Sequence, residues 1–238
     1  MESVKGKLYL IPTRLGDNPP LEVLPISIKK VIESINYYIV ENEKTARRFI
    51  KRISPNKSQA SLQISVLNKY TTENERNTYL NPCLEGISVG ILSEAGCPAI
   101  ADPGSDIVSL AHQIDIKVVP LVGPSSIILG LMASGLNGQS FCFNGYLPID
   151  KSERKTKLKA LEKLSAEKNQ TQIFIETPYR NMKMIEDLSK MLHPETKVCV
   201  ACDLTLPTEY IKTQSAKNWK NISQDFHKRP AIFMILRQ

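Results

Sequence analysis

The sequence predicts an α/β protein of two units, and three observations carry that expectation. Short apolar runs of strand length alternate with segments of helical spacing. Loops rich in glycine and proline follow several of those runs directly. A second series of strands and helices starts after Gly123-Pro124-Ser125-Ser126.

Lys7-Leu8-Tyr9-Leu10-Ile11, ended by Pro12, reads as a buried parallel strand. Residues 21–35 place Val23, Ile28, Val31, Ile32 and Ile35 along one helical face. Tyr37-Tyr38-Ile39-Val40 is a second strand, followed by a basic helix over residues 44–53. Residues 88–93 form another strand, 105–112 a helix and 117–121 a strand, so the first sheet is expected to be mostly parallel. In the second unit, residues 126–134 are apolar nearly all round and are expected to be buried between layers. Residues 141–146 give a strand and loop, and 151–168 a charged helix. Strands follow at 172–176, 197–202 and 231–236, with a helix at 181–192 between the first two. The join is expected at about 117–123, dividing an N-terminal domain 1–119 from a C-terminal domain 120–238.

Composition excludes several classes. Of 238 residues, 42% are hydrophobic and 23% charged, the balance of a soluble globular protein rather than a disordered one. No apolar run approaches the roughly 18–20 residues that span a bilayer. The amino terminus has no signal-peptide apolar region, so a cytoplasmic location is expected. Cys199-Val-Ala-Cys202 has redox or zinc spacing, but it lacks a second pair, and a strand points its two thiols to opposite faces. A core strand is the better reading, and no metal is expected. The net charge of +7 favours phosphate-rich partners without establishing them. Its excess lies in clusters at 44–52, 151–159 and 212–229, each of which also reads as a solvated face.

Ligands of open α/β sheets collect where loops leave the carboxyl ends of strands. Three loops stand out: residues 12–18, residues 93–104 and Gly123-Pro124-Ser125-Ser126. The second holds two acids, Glu94 and Asp102, suited as acceptors for ribose hydroxyls or an amino group. Neither the Walker pattern nor Gly-x-Gly-x-x-Gly is present, and the three histidines (His112, His193 and His227) are scattered. A reaction without an obligatory metal or covalent nucleophile fits best.

At these loops the chain resembles the tetrapyrrole methylase superfamily, the class III S-adenosylmethionine methyltransferases, and within it the branch that modifies small-subunit ribosomal RNA. The resemblance runs over nearly the whole length. It rests on residues 8–17, on Ser93-Glu94-Ala95-Gly96-Cys97-Pro98 with Ala101-Asp102-Pro103-Gly104, on Val122-Gly123-Pro124-Ser125-Ser126, and on Ala133-Ser134-Gly135-Leu136. Phe143-Asn144-Gly145-Tyr146-Leu147-Pro148 and Ile175-Glu176-Thr177-Pro178-Tyr179-Arg180 continue it in order.

The resemblance implies two α/β domains, the second with a mixed sheet, holding S-adenosylmethionine in the cleft between them and leaving S-adenosylhomocysteine. It implies donor contacts from Pro12, Leu92, Ser93, Glu94 and Cys97, and from Ser125, Ser126, Glu176, Asp203 and Ala231. Glu41 matches a family acid after the second strand and is the candidate general base; a surface acid at a strand end is the competing reading. Methylation of RNA, at a ribose 2′-hydroxyl of small-subunit ribosomal RNA, is the leading expectation. Lys44, Arg47, Arg48, Lys51 and Arg52 would meet phosphates, with Arg180 from the second domain, and Tyr70 or Tyr179 would stack on a base. A small tetrapyrrole-like acceptor, or donor binding without turnover, are the alternatives. The branch's His-Glu-His-Asn stretch is not kept near residues 67–71, and the small carboxyl-terminal extension of many relatives is not found after Leu236. A homodimer is expected from the family.

Overall fold

In the computed structural model, which describes residues 4–237, the central strands grow from the apolar runs. The first unit contains β1 (Lys7–Ile11), α1 (Pro20–Val23), α2 (Ile26–Ser34), β2 (Tyr37–Val40), α3 (Glu43–Ile53), β3 (Gln63–Val66), α4 (Glu73–Thr78), α5 (Asn81–Leu84), β4 (Val89–Leu92), α6 (Ser105–Gln113) and β5 (Lys117–Pro120). Its five strands form a parallel sheet in the order β3-β2-β4-β1-β5. Both faces are covered, as a parallel sheet requires. Ile11, Tyr38, Val40 and Leu92 point to one side, against Ile28, Ile32, Phe49 and Ile50 of α2 and α3. Leu8, Ile39, Val89 and Ile91 point to the other, against Ile107 and Ala111 of α6. Alternation along β2 therefore feeds two cores from one short strand.

The single helix expected over residues 21–35 is two pieces. Leu24 turns to φ −113°, ψ 135° ahead of Pro25, whose ring disfavours helix in the preceding residue, and Pro25 itself caps α2. α4 was not anticipated, although its start is a capping box: Thr72 accepts from the Glu75 N–H while the Glu75 carboxylate accepts from the Thr72 N–H.

The second unit contains α7 (Ser126–Ser134), β6 (Phe141–Tyr146), α8 (Lys151–Lys168), β7 (Thr171–Ile175), α9 (Asn181–Met191), β8 (Lys197–Cys202), β9 (Tyr210–Ser215) and β10 (Ala231–Leu236). Its sheet is mixed, in the order β6-β7-β10-β8-β9, with β6 parallel to β7 and the other pairings antiparallel. The units divide after Ser125, so β5, Pro120 and the loop 121–125 stay with the first. Trp219, Phe174, Phe226 and Phe233 fill the second unit's core, and the Trp219 Nε1–H donates to the Val198 carbonyl at 3.2 Å. Cys202 faces this core, and Cys199 is buried outside it, as opposite-facing strand positions require. Among the described residues, no helix is long and apolar enough to cross a membrane.

One expectation for the second unit is corrected. α7 is not enclosed between layers: it lays Ile127, Gly130, Leu131 and Ser134 on its sheet and leaves Ile128 45% and Met132 74% exposed. Gly130 sets the approach, since a Cβ there would stand 3.0 Å from Ile232 and 3.1 Å from Met234 of β10. One sheet covers only one side of a helix, and Ile128 and Met132 lie on the uncovered side.

A buried ion pair ties α8 to α9. The Arg154 Nε–H and Nη2–H donate to Asp187 Oδ2 at 2.8 and 2.6 Å, and Nη1 donates to the Pro148 and Ile149 carbonyls. Removing one partner leaves an uncompensated charge in the interior. Asp187→Ala is expected to lower unfolding free energy by about 3–5 kcal/mol in urea titration; a loss under about 1 kcal/mol would show the pair to be dispensable.

Candidate functional site

The site of the first unit begins with the parallel pairing of β1 and β4, which sets Ile11 opposite Leu92. Loops 12–18 and 93–104 consequently leave the sheet at adjacent strand ends, where α/β proteins bind ligands. The Thr13 N–H donates to the Gly96 carbonyl at 2.9 Å, and the Ser93 hydroxyl donates to that same carbonyl at 2.6 Å. Gly96 sits at φ +76°, and a Cβ there would lie 3.2 Å from Leu15 and 3.4 Å from the Pro124 carbonyl. The third loop joins at this point: the Cys97 thiol donates to the Pro124 carbonyl at 3.5 Å. Gly123 packs so closely on Pro12 that a Cβ would stand 2.2 Å from the proline Cβ. The three loops singled out in the sequence thus meet in one unit. Pro12, Leu92 and Ser93 are buried there, Cys97 is half-buried and Glu94 is exposed. Ala99 and Ala101 are held at φ 64° and 61°, a region an alanine occupies only under constraint.

Glu41 follows β2, and the register Val40 opposite Leu92 sets it beside Ser93. Its Oε1 is buried without a hydrogen-bond partner among the described residues. Burial, then the neighbouring Asp102 and Glu94 carboxylates, push Glu41 up to about 7. Burial, then Glu94, raise Asp102 as well. Glu94 is partnered, its Oε1 accepting from the Thr45 hydroxyl at 2.6 Å. Acceptor-only carboxylates beside a loop of open main chain fit a ligand that offers hydroxyl and amino donors.

A cavity of about 500 Å³ opens between loop 12–18, the start of loop 93–104 and α3, within the size range of small-molecule sites. Arg14, Arg48 and Arg52 line it together with Thr45, Ser93 and Glu94. Of the cations expected to meet phosphate, Arg48 and Arg52 line the cavity, Lys44 is exposed on α3, and Lys51 donates to the Pro55 carbonyl. Arg47 is turned elsewhere, donating to Glu43 Oε1 and to the Gln59 carbonyl, both at 2.7 Å. Arg14 and Asp17 escaped the sequence reading, because a loop carries no periodicity to mark two side chains as partners.

In the second unit, the registers Ile175 opposite Ile232 and Cys202 opposite Ala231 bring Glu176, Asp203 and Ala231 to one end of the sheet. Both acids are buried and engaged. Glu176 Oε1 accepts from Arg180 Nε and Nη2 at 2.9 and 2.5 Å, and Asp203 Oδ2 accepts from Thr208 at 2.7 Å and Arg229 at 2.9 Å. Ser126 opens α7, apart from that cluster in sequence. Tyr179 is 68% exposed, with His227 edge-on at 5.8 Å and the Lys228 ammonium 5.8 Å from its ring centre. Tyr70 is exposed too, with the Lys69 ammonium 4.9 Å from its ring.

The raised Glu41 makes the folded state bind a proton more tightly than the unfolded chain does. Glu41 therefore opposes folding progressively as pH rises from about 4.5 through about 7. Glu41→Gln is expected to raise the melting temperature at pH 8 while changing it little at pH 4; equal shifts at both would place the carboxylate in an ordinary solvated setting.

The sequence matches the family described as Tetrapyrrole (Corrin/Porphyrin) Methylases over residues 26–218. It is 31% identical over 205 residues to Ribosomal RNA small subunit methyltransferase I of Vibrio cholerae, covering 86% of this chain and 67% of that one. The proteins of the same name from Buchnera aphidicola subsp. Schizaphis graminum and Escherichia coli O157:H7 are 28% and 29% identical, over 97% and 88% of this chain and 78% and 69% of theirs. The crystal structure of the methyltransferase CobJ shares the fold, with a TM-score of 0.64 at 12% identity, covering 98% of this chain and 94% of that one.

Proposed function

The chain belongs to the tetrapyrrole (corrin/porphyrin) methylase family and is a methyltransferase; on that premise we propose that it moves a methyl group from S-adenosylmethionine to a ribose 2′-hydroxyl of small-subunit ribosomal RNA. The meeting of loops 12–18, 93–104 and 121–125 at the ends of β1 and β4 is the observation that carries the donor assignment. Pro12, Leu92, Ser93, Glu94, Cys97 and Ser125 are the donor residues of the first unit. In the second unit, Ser126, Glu176, Asp203 and Ala231 are assigned to the ligand on the resemblance alone. S-adenosylmethionine supplies an electrophilic sulfonium methyl when bound.

The chain's own work is then alignment, water exclusion and removal of one proton. Glu41 takes the proton of the acceptor hydroxyl in its ionised form, which is half populated near pH 7 because of its burial and the charges of Asp102 and Glu94. The same two carboxylates that raise Glu41 make it a stronger base. RNA as the acceptor is supported by the names of the relatives and by the cations of α3 that have no carboxylate partner among the described residues, Lys44, Arg48 and Lys51. Arg47 and Arg180 would have to exchange Glu43 and Glu176 for a phosphate. Tyr179, flanked by Lys228 and His227, offers a face for an unpaired base. A ribosomal RNA acceptor supports a cytoplasmic location for the enzyme.

We also assign a homodimer. The exposed Ile128 and Met132 lie one turn apart on α7, a helix whose composition calls for cover on both sides. Met132→Glu is expected to shift the species in sedimentation velocity from dimer to monomer, and a wild-type monomer would end the assignment.

The direct test uses donor labelled in its methyl group and small ribosomal subunits from a strain lacking this gene. Label in the RNA is expected, with turnover rising through about pH 7 and falling roughly 10²–10⁴-fold in Glu41→Gln at unchanged donor affinity. Label in a tetrapyrrole instead of RNA would overturn the acceptor, and donor binding without label anywhere would overturn the enzyme.

A further inference from the structure

The cavity between loop 12–18 and α3 holds more positive charge than the fold uses. Arg14, Arg48 and Arg52 converge on it; of the two carboxylates there, only Asp17 forms ion pairs with the arginines, while Glu94 accepts from Thr45. Asp17 Oδ1 lies 3.0 Å from Arg14 Nη1 and 2.6 Å from Arg52 Nη1, so one oxygen bridges two guanidinium groups. That is how a phosphate oxygen is held between arginines. The bridging carboxylate is 85% exposed, whereas the Arg14 side chain is only 14% exposed and donates as well to the Asn18 carbonyl. Arg48, the third member, has no ion-paired partner among the described residues. Burial, then the nearby Arg52, lower the proton affinity of Arg14, with Arg48 adding to it, so the three charges sense one another.

A surface ion pair stabilises by about 1 kcal/mol or less, so Asp17 is a weak tenant. Three like charges around a concave site are costly unless an anion shares them. The cavity also reaches Ser93 and Glu94, at the strand end assigned above to the methyl donor.

We propose that this cavity is a phosphodiester-binding site for the acceptor strand, built by Arg14, Arg48 and Arg52, and that Asp17 is an internal counterion which the RNA phosphate displaces. The proposal rests on the RNA reading given above and deepens it. It assigns the phosphate next to the modified nucleotide to a pocket rather than to the open face of α3. Arg14 is the fixed member, held by its neighbours, and Arg48 and Arg52 are the adaptable ones. No bond forms or breaks; one carboxylate is exchanged for one phosphate oxygen.

The test measures binding of a fluorescein-labelled single-stranded oligouridylate by anisotropy across a salt series, alongside calorimetric titration with S-adenosylmethionine. Each phosphate contact adds about 0.7 to the slope of log affinity against log salt for a single strand. The double variant Arg48→Gln/Arg52→Gln, which removes the one phosphate contact of the pocket, is expected to lose about 0.7 from that slope while binding the donor as the wild type does. Arg48→Lys/Arg52→Lys is expected to keep the slope, which separates lost charge from lost folding. Asp17→Asn is expected to bind the oligouridylate more tightly than wild type. An unchanged slope in the double variant, or weaker binding by Asp17→Asn, overturns the proposal. If the subunit RNA is still methylated in that case, the acceptor reading survives it; if wild type labels no RNA, both fall together. Loss of donor affinity in the double variant would give the cavity to the donor's carboxylate and overturn the proposal in a different way.

Discussion

The parallel pairing of β1 with β4, in the register Ile11 opposite Leu92, is the constraint on which the first unit's site depends. It fixes Pro12 next to Ser93 before any loop contact is made. Two hydrogen bonds to the Gly96 carbonyl, from the Thr13 amide and the Ser93 hydroxyl, then hold the loops together. Side chains alternate along a strand, so a slip of one residue would exchange the core-facing Leu92 with Ser93. The core therefore enforces the register of the site. Burial of Ile11 and Leu92 among α2 and α3 is large compared with any single loop hydrogen bond, each of which contributes on the order of 1 kcal/mol.

From that frame the charges divide into two groups. Glu41, Glu94 and Asp102 stand together at the ends of β2 and β4, and their mutual repulsion adds to burial in raising Glu41. Arg14, Arg48 and Arg52 stand on the neighbouring wall. Were the two groups paired, Glu41 would be depressed and the arginines satisfied. Instead Glu94 takes its hydrogen bond from a neutral hydroxyl, Thr45, and Asp17 serves the arginines from outside. Separation keeps a proton acceptor and an anion receptor side by side without either quenching the other.

The central strands were legible because each is an apolar run: β1, β2, β4, β8 and β10 are buried on both faces or nearly so. The strands missed, β3 (Gln-Ile-Ser-Val) and β9 (Tyr-Ile-Lys-Thr-Gln-Ser), are the outer strands of their sheets. An edge strand buries little and carries polar residues that discourage further pairing, so its sequence resembles a loop. The break at Pro25 and the capping box at Thr72 were written in the residues but outweighed by apolar spacing in one case and hidden by its absence in the other. At the site, the loops were legible as unusual chemistry. The left-handed Ala99 and Ala101 were not, since alanine gives no sign of a conformation that the surrounding loop imposes.

Cations that look alike in sequence are set apart by their partners. Arg47 joins α3 to the turn at Gln59, Arg180 holds Glu176, Arg154 holds Asp187 in the interior, and Arg229 holds Asp203. Each of these would have to leave a partner to meet a phosphate, and for the buried pairs that means stranding a carboxylate out of water. Arg48 and Lys44 face no such cost, and Arg52 gives up only an exposed carboxylate. Net charge therefore overstates what the protein can offer to RNA. Beside the loop that carries Ser93 and Glu94, the cations it can offer are Arg48, which has no ion-pair partner among the described residues, and Arg14 and Arg52, which share the exposed Asp17.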